Sequence, residues 1–183
     1  MENEIKYYNE LAVRARGDEE AFTEMYRHFF PRVYNFIYAR MKNVDAADDV
    51  VSTTFMKVYE NLDRYNPTKA AFSTWLFRIA SNSMLDYFRR TQSRGEVEWD
   101  ETFDPPSPEY QTPENQALAD EGKKEILKAL DKLNERERRI VELKYFSGVG
   151  NKEIAEVLGI TANNVGVVLH GALKKLKKIM GEE

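Results

Sequence analysis

The sequence predicts an all-α protein of two small helical domains, residues 1–94 and 122–183, joined by an acidic, Pro-containing linker at 95–121, with a helix-turn-helix in the C-terminal domain. Three observations predict this. Apolar residues recur at three- and four-residue spacing through both flanks, the period of a half-buried helix. Four of the six prolines (Pro105, Pro106, Pro108 and Pro113) lie between those flanks, where they prevent a continuous helix and favour extended backbone. Near the C-terminus, two amphipathic segments are separated only by Gly159, Ile160 and Thr161.

The N-terminal flank reads as helices almost throughout. Gly17 marks a stop and Asp18 a following N-cap. From there Ala21, Phe22, Met25, Tyr26, Phe29, Phe30, Val33, Phe36, Ile37 and Tyr38 trace an apolar face, which Pro31 should kink or divide. A second helix, about 45–62, places Ala47, Val50, Val51, Thr54, Phe55, Val58 and Tyr59 on one side. Asp45, Asp48 and Asp49 stand near its start, where the helix dipole favours acids. A third runs from about 70 to 90 after Asn66 and Pro67. It carries Phe72, Trp75, Leu76 and Ile79 on one stripe and Phe77, Met84, Tyr87 and Phe88 near another, more aromatic surface than one buried face requires.

From Arg64 to Arg94 the bases are Arg64, Lys69, Arg78, Arg89, Arg90 and Arg94, against the single acid Asp86. Rings interleaved with cations suit unpaired bases, because any base can stack on a ring while cations follow the phosphates; each stacked base is worth roughly 1–3 kcal/mol. Phe72, Leu76, Ile79 and Phe88 are equally explained as core, and Trp75 fits either role.

Charge distribution supports the division. Nine acids and no Lys or Arg fall between Gly95 and Glu121, so subtracting that −9 from the chain's −4 leaves +5 elsewhere. Like charges along the segment repel and keep it stretched. It reads as a solubilising tether or as a polyanionic strand for a basic channel.

After it, Ile126, Leu127, Leu130 and Leu133 share one helical face. Asn134, with Glu137 three positions on, approximates a capping box, and the helix it opens buries Ile140, Val141, Leu143, Tyr145 and Phe146 before Ser147 and Gly148. The pair 151–158 and 162–180 is the helix-turn-helix, whose second helix enters the major groove with its N-terminal residues facing bases. Periodicity turns Val165, Val168, Leu169, Ala172, Leu176 and Ile179 inward and leaves Asn163, Asn164, Val167, His170 and Lys174 for DNA. Asn pairs bidentately with adenine, Val meets a thymine methyl, and Lys174, Lys175, Lys177 and Lys178 serve phosphates. His170 reads equally as a plain surface histidine.

Other chemistry is thinly provided. The chain has no cysteine and two histidines, His28 and His170, and lacks phosphate-cradling, nucleophile-elbow and zinc-binding patterns, so neither a cofactor nor a metal is expected and a binding protein is favoured over an enzyme. No apolar run approaches the ~20 residues of a membrane span and the charged N-terminus does not resemble a secretory signal, so cytoplasmic residence without membrane insertion is expected.

Taken with their order, these segments resemble the extracytoplasmic-function (ECF) RNA polymerase sigma factors, which keep only regions two and four of the larger sigma factors. Gly17 to Phe22 resembles the opening of region two. Ala47 to Phe55 is similar to the segment that grips the clamp helices of the polymerase's largest subunit, and Phe72 to Asn82 to the segment that separates strands and reads the minus-ten element. Leu133 onward resembles region four, which reads the minus-thirty-five element.

The resemblance implies an alternative sigma factor with core RNA polymerase, promoter DNA and an anti-sigma factor as partners. It assigns core binding to Asp49, Ser52, Thr53, Phe55 and Tyr59. Minus-ten recognition and melting fall to Phe72, Trp75, Arg78, Asn82, Arg89 and Arg90, with Asn82 bordering a pocket for a flipped base. Two departures stand out. Ser52 and Thr53 replace the family's usual Gln-Glu, and Gly166, Val167, Val168, Gly171 and Leu173 occupy a recognition helix that is usually rich in Arg. A stand-alone helix-turn-helix regulator is the competing reading; it should bind duplex DNA tightly alone, which the weakly basic 162–173 segment disfavours.

Overall fold

The computed structural model describes residues 2–94, 122 and 124–181; the acidic linker lies outside them. All described secondary structure is helical. The N-terminal module holds α1 (Glu2–Arg14), α2 (Glu19–Met41), α3 (Val44–Asn61), a 3₁₀ turn (Leu62–Arg64) and α4 (Phe72–Arg94). The C-terminal module holds α5 (residues 124–130), α6 (Glu135–Tyr145), α7 (Asn151–Leu158) and α8 (Ala162–Met180).

Local chemistry explains most helix ends. Asp18 caps α2 by accepting from the Ala21 amide at 3.0 Å, and Asn43 caps α3 by accepting from the Ala46 amide at 2.8 Å. At α6 the capping box is complete: Asn134 accepts from the Glu137 amide and Glu137 Oε2 accepts from the Asn134 amide. Gly159, at φ +68°, ends α7 in a left-handed conformation that glycine adopts without steric cost, and Thr161 then caps α8 by accepting from the Asn164 amide.

Pro31, expected to kink or divide this helix, does not divide it: α2 runs on from Glu19 to Met41. The lost backbone donor and ring clash cost about 3 kcal/mol in an unsupported helix. Here Phe29 and Val33 on either side are buried with Met25, Phe36 and Ile37, and each fully buried side chain returns roughly 1.5–3 kcal/mol.

α4 runs through the middle of the molecule, packed against α1, α2, α3 and α7. That explains its aromatic excess: Phe72, Leu76 and Phe77 are fully buried, and Trp75, Tyr87 and Phe88 pack against the core from its edge. In the C-terminal module Leu127, Leu130, Leu133, Ile140 and Leu143 are buried as expected. Ile126 and Tyr145, expected inside, are instead exposed, and Glu142 takes an interior place beside Arg138.

The modules meet along two strips. α2 faces α6 and α4 faces α7, and the buried apolar residues of both modules form one continuous cluster.

Candidate nucleic-acid interface

The start of α4 is fixed from outside the helix. Asn9 on α1 accepts from the Phe72 amide at 2.7 Å and from the Tyr65 hydroxyl at 3.0 Å, so one side chain caps α4 and anchors the segment leading into it. Tyr65 is buried, which raises its hydroxyl pKa, and its ring packs on Phe72 and Trp75 at centroid distances of 5.4 Å each. Trp75 is thereby held at the rim of the core with one side accessible. Asn9 escaped the sequence reading because its role is a long-range contact without a local motif.

Beyond Trp75 a ridge of one helical face runs through Arg78, Asn82, Leu85 and Arg89, all exposed and spaced by three or four residues. The structure therefore brings Trp75, Arg78, Asn82 and Arg89 onto one line, with Leu85 as an apolar member not singled out from the sequence. It does not bring the other two named residues there. Phe72 is buried against Phe29, Tyr65 and Trp75, a core position that supports Trp75 rather than presenting a ring to solvent. Arg90 lies a helical step away, lining a different feature.

That feature is a groove of about 310 Å³ between α3 and α4, lined by Asp49, Ser52, Thr53 and Met56 on one side and Tyr87, Arg90 and Thr91 on the other. It contains three of the residues expected to bind core polymerase. A fourth, Tyr59, is 67% exposed one turn on, its ring edge against Phe22. The fifth, Phe55, is buried against Tyr26 and Phe30 of α2 and does not line the groove. Met56, 63% exposed, and Tyr87 complete the groove; neither carries a distinctive local pattern.

In the C-terminal module α7 and α8 form the expected helix-turn-helix. Asn163, Asn164, Val167, His170 and Lys174 are all exposed on α8, while Val165, Leu169 and Ala172 are buried. Asn164 is not free: its Oδ1 accepts from Arg136 Nη2 of α6 at 3.0 Å. Lys175 donates to Glu137 Oε1 at 2.5 Å, which sets it apart from the neighbouring lysines. This bond, ahead of the Asn134 amide, holds the Glu137 carboxyl below the usual carboxylate range. Gly166 and Gly171 face open space, so packing within the chain does not demand glycine at either position.

An aromatic and cationic helix beside a separate helix-turn-helix defines a two-module nucleic-acid-binding protein. The family model for sigma-70 region 2 matches residues 25–94 and that for sigma-70 region 4 matches residues 123–176. The chain is 27% identical over 175 residues to the ECF RNA polymerase sigma factor BldN of Streptomyces coelicolor, covering 95% of this chain and 66% of BldN. It is 28% identical over 170 residues to the ECF RNA polymerase sigma factor SigW of Bacillus subtilis, covering 89% and 90%. In fold it is similar to CnrH, solved in complex with the cytosolic domain of CnrY, with a TM-score of 0.69, 24% identity and coverage of 96% and 97%. The chain belongs to the ECF sigma factors, the alternative sigma factors of RNA polymerase, with regions 2 and 4.

Proposed function

We propose a division of labour within this sigma factor in which residues 1–94 bind core RNA polymerase and capture the melted non-template strand, while residues 122–183 dock on the minus-thirty-five duplex. The observation that carries it is the pairing, on one chain, of the Trp75 to Arg89 ridge with the exposed α8 face. The ridge supplies one accessible indole, two guanidiniums and an amide, which suits an unstacked base and its phosphates. α8 supplies the Asn163 amide, a valine, a histidine and a lysine, enough for sparse readout of a major groove, with the Asn164 amide held beside them by Arg136.

The groove between α3 and α4 is the docking surface for core polymerase, with Asp49, Ser52, Thr53, Met56, Tyr59 and Tyr87 as its contacts. It offers exposed apolar area with a hydroxyl and carboxylate rim, the composition of a protein interface. The residues serve binding rather than catalysis, and the site of action is the cytoplasm, where polymerase and promoter are. Among the described residues no helix is long and apolar enough to cross a membrane. CnrH was solved with the cytosolic domain of CnrY, and the sigma factor RpoE of Bartonella quintana with the anti-sigma factor NepR. An anti-sigma factor is the corresponding partner here.

Transcription with purified core polymerase tests this. Promoter-dependent product is expected with the parent chain and is lost when Trp75 and Asn82 are both replaced by Ala, with core binding retained. Tyr59→Ala with Met56→Ala should instead abolish co-purification with core. Undiminished promoter opening by the Trp75 and Asn82 double variant would end the proposal. A stand-alone regulator would give tight duplex binding without polymerase in a low-salt gel shift.

A further inference from the structure

Between the 3₁₀ turn and α4, residues Tyr65 to Ala71 form no helix, yet this segment is tied down at both ends from α1 and the turn behind it. Arg16, just past the end of α1, donates through Nε to the Leu62 carbonyl at 3.3 Å and through Nη2 to the Tyr65 carbonyl. The last carbonyls of a helix lack partners and carry partial negative charge, so a guanidinium suits them, and its planar fork serves two at once. Asn9 does the complementary work at the far end, accepting from the Tyr65 hydroxyl and from the Phe72 amide. The Tyr65 hydroxyl also reaches the Ala70 carbonyl at 3.2 Å, and inside the segment Asn66 accepts from the Thr68 amide and hydroxyl. Trp75 inherits its place from this arrangement. Its backbone amide donates to the Ala71 carbonyl at 3.1 Å, and its ring leans on Tyr65 and Phe72 with centroids 5.4 and 5.8 Å away.

We propose that Arg16 is a positioning residue for capture of the unpaired strand: with Asn9 it clamps residues 62–72 and so fixes the Trp75 ring before any strand arrives. The inference rests on the function assigned above to the ridge that begins at Trp75. Arg16 and Asn9 both precede residues 25–94, the span that matches sigma-70 region 2, and both act on Trp75 through Tyr65. A ring that must be immobilised as a base stacks on it gives back part of what stacking gains, whereas a ring already fixed keeps the gain. Tyr65 is buried and bonded through both its carbonyl and its hydroxyl, so it passes the restraint to Trp75 without itself meeting the strand. Arg16 is exposed, and a cation there could otherwise be read as a phosphate contact; its two carbonyl partners give it a different task.

Trp75 and Trp99 are the two tryptophans of the chain, so in a Trp99→Phe background the emission reports Trp75 alone. In that full chain, well below its Tm, Arg16→Ala is expected to lower the anisotropy of Trp75 and to raise its quenching by acrylamide, with far-ultraviolet dichroism unchanged. Reconstituted with core polymerase, the same variant should bind a labelled single-stranded oligothymidylate about tenfold more weakly, the scale of one stacked base, while co-purification with core holds. Arg16→Lys keeps the charge without the planar fork, so it should behave like Arg16→Ala, and it supplies the same readouts should the alanine variant fail to fold. Parent-like Trp75 emission in the variants overturns the proposal. Full rescue by Arg16→Lys overturns it too, because charge alone would then explain the residue. So does an unchanged strand affinity in Arg16→Ala where Trp75→Ala loses it. A loosened Trp75 in both Arg16 variants would support the clamp even if Trp75→Ala left strand binding untouched, a result that defeats the strand-capture reading alone.

Discussion

Arg136 Nη2 donates to Asn164 Oδ1 at 3.0 Å, so a side chain of α6 holds one of the two amides at the tip of the recognition helix. Bidentate pairing with adenine uses an amide's oxygen and nitrogen together. Asn163 has both available, whereas Asn164 is oriented by a neighbour within its own chain. Asn163→Ala should therefore lose about 1–3 kcal/mol of preference at one base position. Asn164→Ala should weaken all duplexes alike, and Arg136→Ala with Asn164→Ala should lose no more than Asn164→Ala alone. Competition binding of holoenzyme to single-base promoter variants measures both.

Gly166 and Gly171 give a second prediction. Each lies inside α8 facing open space, and glycine in a helix interior costs about 1 kcal/mol relative to alanine. Gly166→Ala and Gly171→Ala should each raise the unfolding free energy by about that amount. If close approach of DNA backbone is what the glycines serve, the same variants lower promoter affinity while raising Tm. Denaturant titration and promoter binding on the same samples separate the two effects.

Glu137 sets a pH dependence. Its carboxyl is held below the usual range, first by Lys175 and then by the Asn134 amide, so the folded state binds its proton less readily than the unfolded chain does. Such a group stabilises above its unfolded pKa, and the contribution is lost as pH falls through the depressed folded value. Lys175→Met should therefore destabilise at neutral pH, with the difference from the parent shrinking between about pH 5 and pH 3. Chemical denaturation across that range reads it; a gap that widens on acidification would contradict this assignment.

Ser81 and Ser83 are buried on α4 with hydroxyl oxygens that have no hydrogen-bond partner among the described residues. A buried hydroxyl without a partner costs about 1–3 kcal/mol. Ser83→Ala removes that cost with almost no change in volume, so Tm should rise by a few degrees without effect on core binding. Asn9→Ala should do the reverse, by about 1–2 kcal/mol, because it takes the acceptor from the Phe72 amide and leaves the Tyr65 hydroxyl only the Ala70 carbonyl. It should also reduce promoter opening by loosening Trp75.

What the sequence made legible was local. Helices 151–158 and 162–180 follow from their apolar period and from Gly159 and Thr161 between them, whose caps depend on neighbours within four residues, and the exposed face of α8 follows from its period. What it hid was the meeting of distant segments. Phe72 and Phe55 look like candidate contacts until α1, α2 and the turn at Tyr65 cover them. Periodicity placed Ile126 and Tyr145 inside because it cannot tell which edge of an apolar stripe a neighbour will cover. Pro31 does not divide α2, because the buried side chains around it outweigh a local helix-breaking signal. Arg90 shows the limit for function: one residue from Arg89 in sequence, it serves another groove because adjacent helical positions point about 100° apart.

Lys42 joins the local and the distant. It ends α2 in a left-handed conformation, φ +53°, which costs a residue with a Cβ roughly 1–2 kcal/mol, yet its ammonium reaches Asp131 of the other module. Glycine would relieve the backbone and sever the reach, so Lys42→Gly should make the N-terminal module sturdier while loosening its hold on the C-terminal one. The least comfortable backbone position in the N-terminal half is thus a lever, through which ease in one module and attachment between the two can be adjusted in opposite directions by a single codon.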